Sequence, residues 1–579
     1  MTAPANKSTS VTHGSAGIPA REIAGEAADK IADKNVRAPS PAVTMPPGLA
    51  ATSHPALSPA DAARFEAALF GGDESREWAA MQQAARAIAA AVLRDFDEIG
   101  PLPPEPRILV LAGKGHNGGD ALLAAKFIHE KHPRARIETC LVFGERVLRP
   151  LALRAWRELS HAPPCRARPC VAPRLTDGEN SRPDARSGPT SILPGPPFDI
   201  VLDGIFGFQF RPPVEPRIAA LLARVNASPA RLRAAVDLPS GLGTPDVFLA
   251  DFTYATGIVK SPALAEENRA AVGRLRYLDL GFWDNTANPS PVPADPPAAA
   301  ILTPAVLSPL RVLRSPLTDK RDYGHLFIVG GSRGYPGAVI MAALAALRSG
   351  AGLVTVFVPE TMAAACAARA PEAMWVAWPE TPEGGLALEG AHLFRERADR
   401  ATALLVGPGL GREAETLALA ADLAKLSAVP LVLDADALQP AIVGAGAASR
   451  ILTPHVGEFA RIAAALPGAG AVTVLKGPVT RINDGGATTH HSLFGGPVLA
   501  RGGSGDLLAG LIGGLLAQEP AQPLLAACRG AVWHGLAADR LARAQGQRAV
   551  NITQLLDHLA GVLREDVPAA AAGKVTSGK

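Results

Sequence analysis

The feature that most restricts the fold is an alternation. Short apolar runs break off in glycine-containing polar loops, and each is followed by a helical stretch. "RILVLAGKGHNGGDALLAAKFIHE", starting at Arg107, reads as buried strand, glycine-rich turn and helix, and "PFDIVLDGIFGF" and "RAAVDLPSGLG" add further strands with polar loops behind them. This pattern predicts a doubly wound α/β sheet, which binds ligands at the carboxyl ends of its strands. It stops at the Pro-dense run "ANPSPVPADPPAAA" (287–300) and then restarts with "HLFIVGGS", "GLVTVFVPE", "ALLVGPGLG", "PLVLDADAL", "SRILTPHVGEF" and "AVTVLKGPVT". The Pro-dense run reads as a linker between two α/β domains, which should separate there into independently folding pieces.

A chain of 579 residues has room for such an arrangement. Residues 1–52, rich in Ala, Pro, Ser and Thr, read as a disordered tail. Order is expected from "LSPADAARFEAALF", where Ser58 has the look of a helix cap. A Pro-, Arg- and Ser-rich stretch at about 161–197 reads as a surface insertion. Lys and Arg number 57 against 54 Asp and Glu, a formal charge of +3 that calls for neither nucleic acid nor an anionic membrane as partner. Five cysteines (Cys140, Cys165, Cys170, Cys366, Cys528) without a CxxC pair argue against a disulfide framework or a zinc site. The start of the chain has no apolar signal core, and the apolar runs are too short for a membrane span. A cytoplasmic protein is expected.

In the second block, polar clusters fall where strands should end: "GGSRGYPGA" (330–338), "GPGLG" (407–411), "DADAL" (434–438), "TPHVGEF" (453–459), "KGPVT" (476–480) and "GGSGD" (502–506). Each alone is an ordinary turn or cap, but the fold gathers strand ends at one edge. The amides of Gly502–Asp506, at a helix start, suit a transferring phosphoryl group, and Asp506 beside them suits removal of a proton from the attacking hydroxyl. These motifs, in this order over about residues 301–570, resemble the ribokinase-like ADP-dependent NAD(P)H-hydrate dehydratases. The resemblance implies that a nicotinamide ring hydrated at C6 is phosphorylated on its hydroxyl and then loses phosphate. It also implies that Asp506 is the catalytic base, that Lys476, Gly477, Pro478, Val479, Thr480 and Gly505 bind nucleotide, and that Ala338, Gly409, His455 and Asp506 line the hydrate. Mg2+ would accompany ADP.

In the first block, "GKGHNGGD" (113–120) follows a strand and opens a helix, so its amides could hold phosphate, although it lacks a Walker ending. With "LDGIFGF", "VDLPSG", "ADFTYATGIVKSPAL" and "VGRLRYLDLGF", it resembles the NAD(P)H-hydrate epimerase domain, here residues 53–290. The resemblance implies a K+ ion on Asn117, Asp203 and Ser240. It places the hydrate against His116, Asn117, Gly118, Gly119, Asp120 and Asp237, with Asp237 catalytic. His116 stands where an Asn is usual, Ala121 where a Gly is, and Phe208–Gln209 where Thr-Gly is.

Taken together, the expectation is a Rossmann-like doubly wound domain fused to a ribokinase-like α/β domain. Such a protein would interconvert the R and S forms of NADHX and NADPHX, dehydrate the S form with ADP, and assemble as a homo-oligomer. Two alternatives remain open on the residues: a small-molecule kinase of ribokinase type, and a dehydratase carrying a non-catalytic N-terminal binding module.

Overall fold

The computed structural model describes residue 49 and residues 51–161, 197–283, 297–468 and 470–564. The first block folds into a six-stranded sheet. From edge to edge its strands are Arg136–Leu141, Arg107–Ala112, Phe198–Gly204, Ala230–Val236, Phe252–Thr256 and Arg274–Leu278, all parallel. Parallel neighbours need helical crossovers, which cover both faces and leave no polar side to the strands. Ile108, Val110 and Leu202 are accordingly buried in one apolar cluster, and Leu109, Leu111 and Val201 in another. The strand order reverses between Arg107–Ala112 and Phe198–Gly204. The loops after those two strands, "GKGHNGGD" and "IFGF", therefore flank the crevice where an open α/β sheet binds its ligand.

The second block builds an eleven-stranded sheet. Its parallel part runs from Ala471–Leu475 through Arg450–Leu452, Leu431–Leu433, Ala403–Val406, His325–Val329 and Leu353–Pro359 to Met374–Trp378. Thr480–Asn483 and Thr489–Ser492 extend it in antiparallel sense. Here the order reverses between His325–Val329 and Ala403–Val406, so "GGSRGYPGA" and "GPGLG" frame a second crevice. Helices Pro336–Arg348, Ser504–Gln518 and Pro523–Gln545 cover one face with the largest core of the molecule. A Cβ on Gly510 would lie 2.1 Å from the Ala342 carbonyl oxygen, so glycine there lets the helix behind "GGSGD" press against its neighbour.

Three expectations about boundaries change. Leu49, placed in the tail, is buried in the C-terminal core, and Thr52 accepts a hydrogen bond from the Thr303 amide. Strand Ser53–Pro55, placed in the N-terminal domain, pairs antiparallel with Ala299–Leu302 in the C-terminal sheet. That second strand begins inside the stretch read as linker. The reason is edge satisfaction: both segments supply backbone partners to an otherwise open sheet edge. Residues 1–48, 162–196 and 284–296, which carry most of the tail, insertion and linker readings, lie outside the described residues. Ser58 does cap the helix Pro59–Phe70, its Oγ accepting from the Asp61 amide at 3.1 Å.

The two sheets are also joined by buried charges. Arg276 donates to Asp539 at 2.8 and 3.1 Å and to Asp95 at 3.3 Å, while Arg274 donates to Asp539 at 2.9 Å and to Glu98 at 2.5 Å. Asp95, Glu98, Arg276 and Asp539 are all buried. Asp539 belongs to the C-terminal helix Pro523–Gln545 and the others to the N-terminal block. Either half made alone would expose or orphan this network, which revises the expectation of clean separation at the linker.

Candidate active sites

The N-terminal crevice is a cavity of about 640 Å³ whose walls include Glu66, Asp120, Phe208, Asp237 and Lys260. Asp237 ends the central strand Ala230–Val236 and holds a left-handed backbone, φ +65°. Its Oδ1 accepts from the Lys260 Nζ at 2.6 Å, and the same ammonium lies 3.7 Å from Glu66 and over the Phe208 ring. Burial disfavours a charged lysine, but Asp237 and Glu66 outweigh it and raise the Lys260 pKa. Asp120, in the second turn of helix His116–Lys131, is buried with Oδ1 unpartnered. Desolvation, with Asp237 and Glu66 nearby, pushes its pKa well above the usual carboxylate range. His116 sits at the rim, 3.8 Å from Glu77. Gly118 and Gly119 are packed solid: a Cβ would lie 2.2 Å from the Gly113 carbonyl oxygen and 2.8 Å from the Met81 sulfur, respectively.

Behind the cavity, Asp203 and Ser240 touch directly. The Ser240 hydroxyl and amide donate to Asp203 at 2.7 and 2.8 Å, and the Ile205 amide adds a third bond. Asn117 joins them through the backbone, its Nδ2 donating to the Phe206 and Val236 carbonyls. Asp203 is fully buried, its carboxylate is met by hydrogen bonds alone, and desolvation raises its pKa to about 6. A carboxylate, hydroxyl and amide set with an unbalanced buried charge fits a monovalent cation held by oxygen.

The C-terminal site is built from five strand-end loops. Asp506 lies in the first turn of Ser504–Gln518, entered through Gly503 at φ +93°. Desolvation, then the Asp434 charge, raise its pKa to about 7 against the lowering effect of Lys476. The Lys476 Nζ donates to Asp434 Oδ1 at 3.2 Å and would stand 3.3 Å from a Cβ on Gly505, so "KGPVT" and "GGSGD" meet. Backbone pairing ties Lys476 to the "TPHVGEF" loop, its amide donating to the Pro454 carbonyl at 2.8 Å. Gly477 and Pro478 are exposed, and Val479 and Thr480 half-buried. His455 caps helix Val456–Ile462 with Nδ1, its Nε2 lies 3.5 Å from Glu458 Oε1, and its side chain is largely exposed. Gly409, at φ +66°, would place a Cβ 3.1 Å from that of Ala338, so these two expected substrate contacts are neighbours. Sequence reasoning did not single out Lys260, Glu66 or Ala435. Among the described residues Asp237 and Ala435 are the non-glycine positions with left-handed backbone, one in each site. Such backbone concentrates where function over-determines conformation.

Residues 326–560 match the family profile described as NAD(P)H-hydrate dehydratase, and residues 78–261 match that of the YjeF-related protein N-terminus. A bifunctional NAD(P)H-hydrate repair enzyme from Gloeobacter violaceus is 35% identical over 87% of this chain and 97% of its own length. The chain belongs to the bifunctional NAD(P)H-hydrate repair enzymes. Another member, from Leishmania infantum, is 30% identical over 81% of this chain and 88% of its own. A Bacillus subtilis ADP/ATP-dependent NAD(P)H-hydrate dehydratase, solved with ATP and Mg2+, is 28% identical over 43% of this chain and 92% of its own, with a TM-score of 0.37. As a repair enzyme the protein combines epimerase and dehydratase activities on NAD(P)H hydrates, rather than being a ribokinase-type small-molecule kinase or a dehydratase with an inert module. No described helix is long and apolar enough to cross a membrane.

Proposed function

We propose that Asp506 is the base of the dehydratase. The observation that carries this is its carboxyl, poised near neutrality beside the amides of a helix start and the Lys476 ammonium. Asp506 takes the proton of the C6 hydroxyl as that oxygen attacks the terminal phosphorus of ADP, and AMP leaves. The C6–O bond then breaks with departure of phosphate, C5 loses a proton, and the C5–C6 double bond returns. Lys476 and the Gly505 amide face the transferring group, Gly477 to Thr480 hold the nucleotide, and Ala338, Gly409 and His455 line the ring. Mg2+ would neutralise the phosphates. Carried by the nucleotide, it would be held in addition by one or two carboxylates at the strand ends.

At the N-terminal site, His116, Asn117, Asp120 and Asp237 receive the hydrate, and the packed Gly118 and Gly119 hold their helix start in place behind the cavity. Asn117, Asp203 and Ser240 would hold a K+ that would tie their loops together. The functional units are residues 53–290, less the strand lent to the other sheet, and residues 301–570 with their added edge strand from 299. A cytoplasmic homo-oligomer completes the reading.

The test is incubation with each purified C6 epimer of NADH hydrate, with and without ADP, following the return of nicotinamide absorbance. The S form should be converted only with ADP, and the R form at a rate limited by exchange. Return of absorbance without nucleotide, or R consumed no faster than it epimerises in buffer, would overturn the respective half.

A further inference from the structure

We propose that Lys260 is a positioning residue of the epimerase, holding Asp237 as the base and leaving Asp120 as the acid. This rests on the epimerase reading of the cavity above. The hydroxyl-bearing C6 of the hydrate is bonded to the ring nitrogen N1, so the group is a hemiaminal. Inverting C6 requires one group to take a proton from oxygen and another to give one to nitrogen. Asp237 removes the hydroxyl proton, the carbonyl forms, and the C6–N1 bond breaks with its electron pair on N1. Asp120 delivers its proton there. Rotation about C5–C6 presents the other carbonyl face, N1 attacks, the oxygen regains the proton from Asp237, and the N1 proton returns to Asp120. Nothing is oxidised or reduced, and the protein ends as it began.

The cavity has the parts for this division of labour. Of the five carboxyls on its walls among the described residues, Glu66, Asp120 and Asp237 lie nearest Lys260, Glu77 and Glu215 being the other two. Neighbouring carboxyls that cannot all ionise are pushed into opposite roles. Lys260 decides the assignment by geometry: its ammonium bonds Asp237 at 2.6 Å, whereas the Asp120 Oδ1 is buried without any partner. The lysine itself is fixed from outside the sheet. The Leu57 amide donates to the Val259 carbonyl and the Ser261 amide to the Leu57 carbonyl, and helix Pro59–Phe70 then brings Glu66 to the ammonium. A lysine only 2% exposed, bonded to a strained Asp and bridged to an otherwise separate segment, is built to point one way.

The experiment uses the full chain at fixed, saturating potassium. Lys260→Met should lower kcat for R–S exchange about 10²-fold with KM little changed, while ADP-dependent dehydration of the S hydrate stays at the wild-type rate and reports folding. Lys260→Ala should recover part of its kcat on addition of methylammonium, which a purely structural lysine would not allow. Exchange by Lys260→Met within threefold of wild type, or a loss expressed in KM alone, would overturn the role of Lys260 while leaving the epimerase reading standing. If the Met variant also loses dehydration, Asp120→Asn decides: retained exchange kcat sinks the acid assignment. Wild-type exchange no faster than buffer would instead overturn the epimerase reading, and this proposal with it.

Discussion

Both sites lie at the reversal of strand order in their sheets, yet one is a half-enclosed cavity around a buried lysine and the other a rim with exposed loops. In the N-terminal site Asp120 and Asp237 are buried near one buried lysine, and helix Pro59–Phe70 supplies one wall of the cavity. In the C-terminal site Gly477, Pro478 and most of the His455 ring face solvent, and the single lysine bridges two loops. Rearranging one substrate within itself needs room for one ligand only, which a partly enclosed cavity supplies. Phosphoryl transfer brings two substrates together from different directions, and an open edge admits both. The two carboxyls Asp120 and Asp506 are both raised above the ordinary range mainly by desolvation, yet the roles proposed for them are opposite, a proton donor and a base.

The sharpest way to break this comparison is to disable one site and watch the other. Asp506→Asn should slow dehydration about 10³-fold, within the range for a lost general base, and leave R–S exchange at its wild-type rate. The proposed base role requires Asp506 ionised, and burial raises its pKa to about 7, so kcat/KM for dehydration should fall as pH drops through 7. A flat profile between pH 6 and 8 would remove Asp506 from the chemistry.

Independence of chemistry does not mean independence of folding. Asp539→Ala removes the shared partner of Arg274 and Arg276 and leaves one buried and one half-buried guanidinium short of charge. Breaking a buried pair costs about 3–5 kcal/mol, so denaturant unfolding should shift by that order and both activities should fade together. A shift under about 1 kcal/mol would mean the domains are coupled no more tightly than by surface ion pairs.

Potassium should act on the N-terminal half alone. Binding at about 100 times its Kd stabilises a folded protein by about 2.7 kcal/mol, visible as a raised Tm that lithium does not match and Asp203→Ala abolishes. The sign with pH follows from Asp203. Its folded pKa, about 6, lies above the ordinary 3.8, so raising pH from about 4 past 6 destabilises the cation-free fold, and the cation recovers that loss. The potassium effect should therefore be larger at pH 8 than at pH 5, by differential scanning fluorimetry. The smallest expected change is His116→Asn, a rim substitution toward the usual loop, which should speed exchange a few-fold. No response would mark the loop as indifferent to that position.

Much of both sites was legible because parallel sheets force it. A buried strand must end in a loop, loops of one sheet gather at one edge, and glycines or short polar residues there stand out against apolar runs. "KGPVT", "DADAL" and "GKGHNGGD" stand directly behind strands as that rule requires, whereas "GGSGD", also expected at a strand end, opens a helix behind the short 3-10 turn Pro497–Leu499. The neighbourhood of Ala338 and Gly409 followed from the strand order, which the sequence did not contain.

What the sequence alone determined was local and periodic: two α/β blocks, their strand-end loops, the Ser58 cap and the acids at the heads of helices. What only the tertiary structure decided depends on contacts between residues far apart in the chain. Lys260 reads as one more basic residue after a strand until it is found on Asp237, 23 residues away and 2.6 Å distant. Ser53–Pro55 is too short and too polar to declare itself a strand, and its pairing with Ala299–Leu302 is chosen by the open edge of a distant sheet. Arg276 and Asp539, 263 residues apart, carry no local sign of each other, because a charge reveals its partner only when burial makes being unpaired costly.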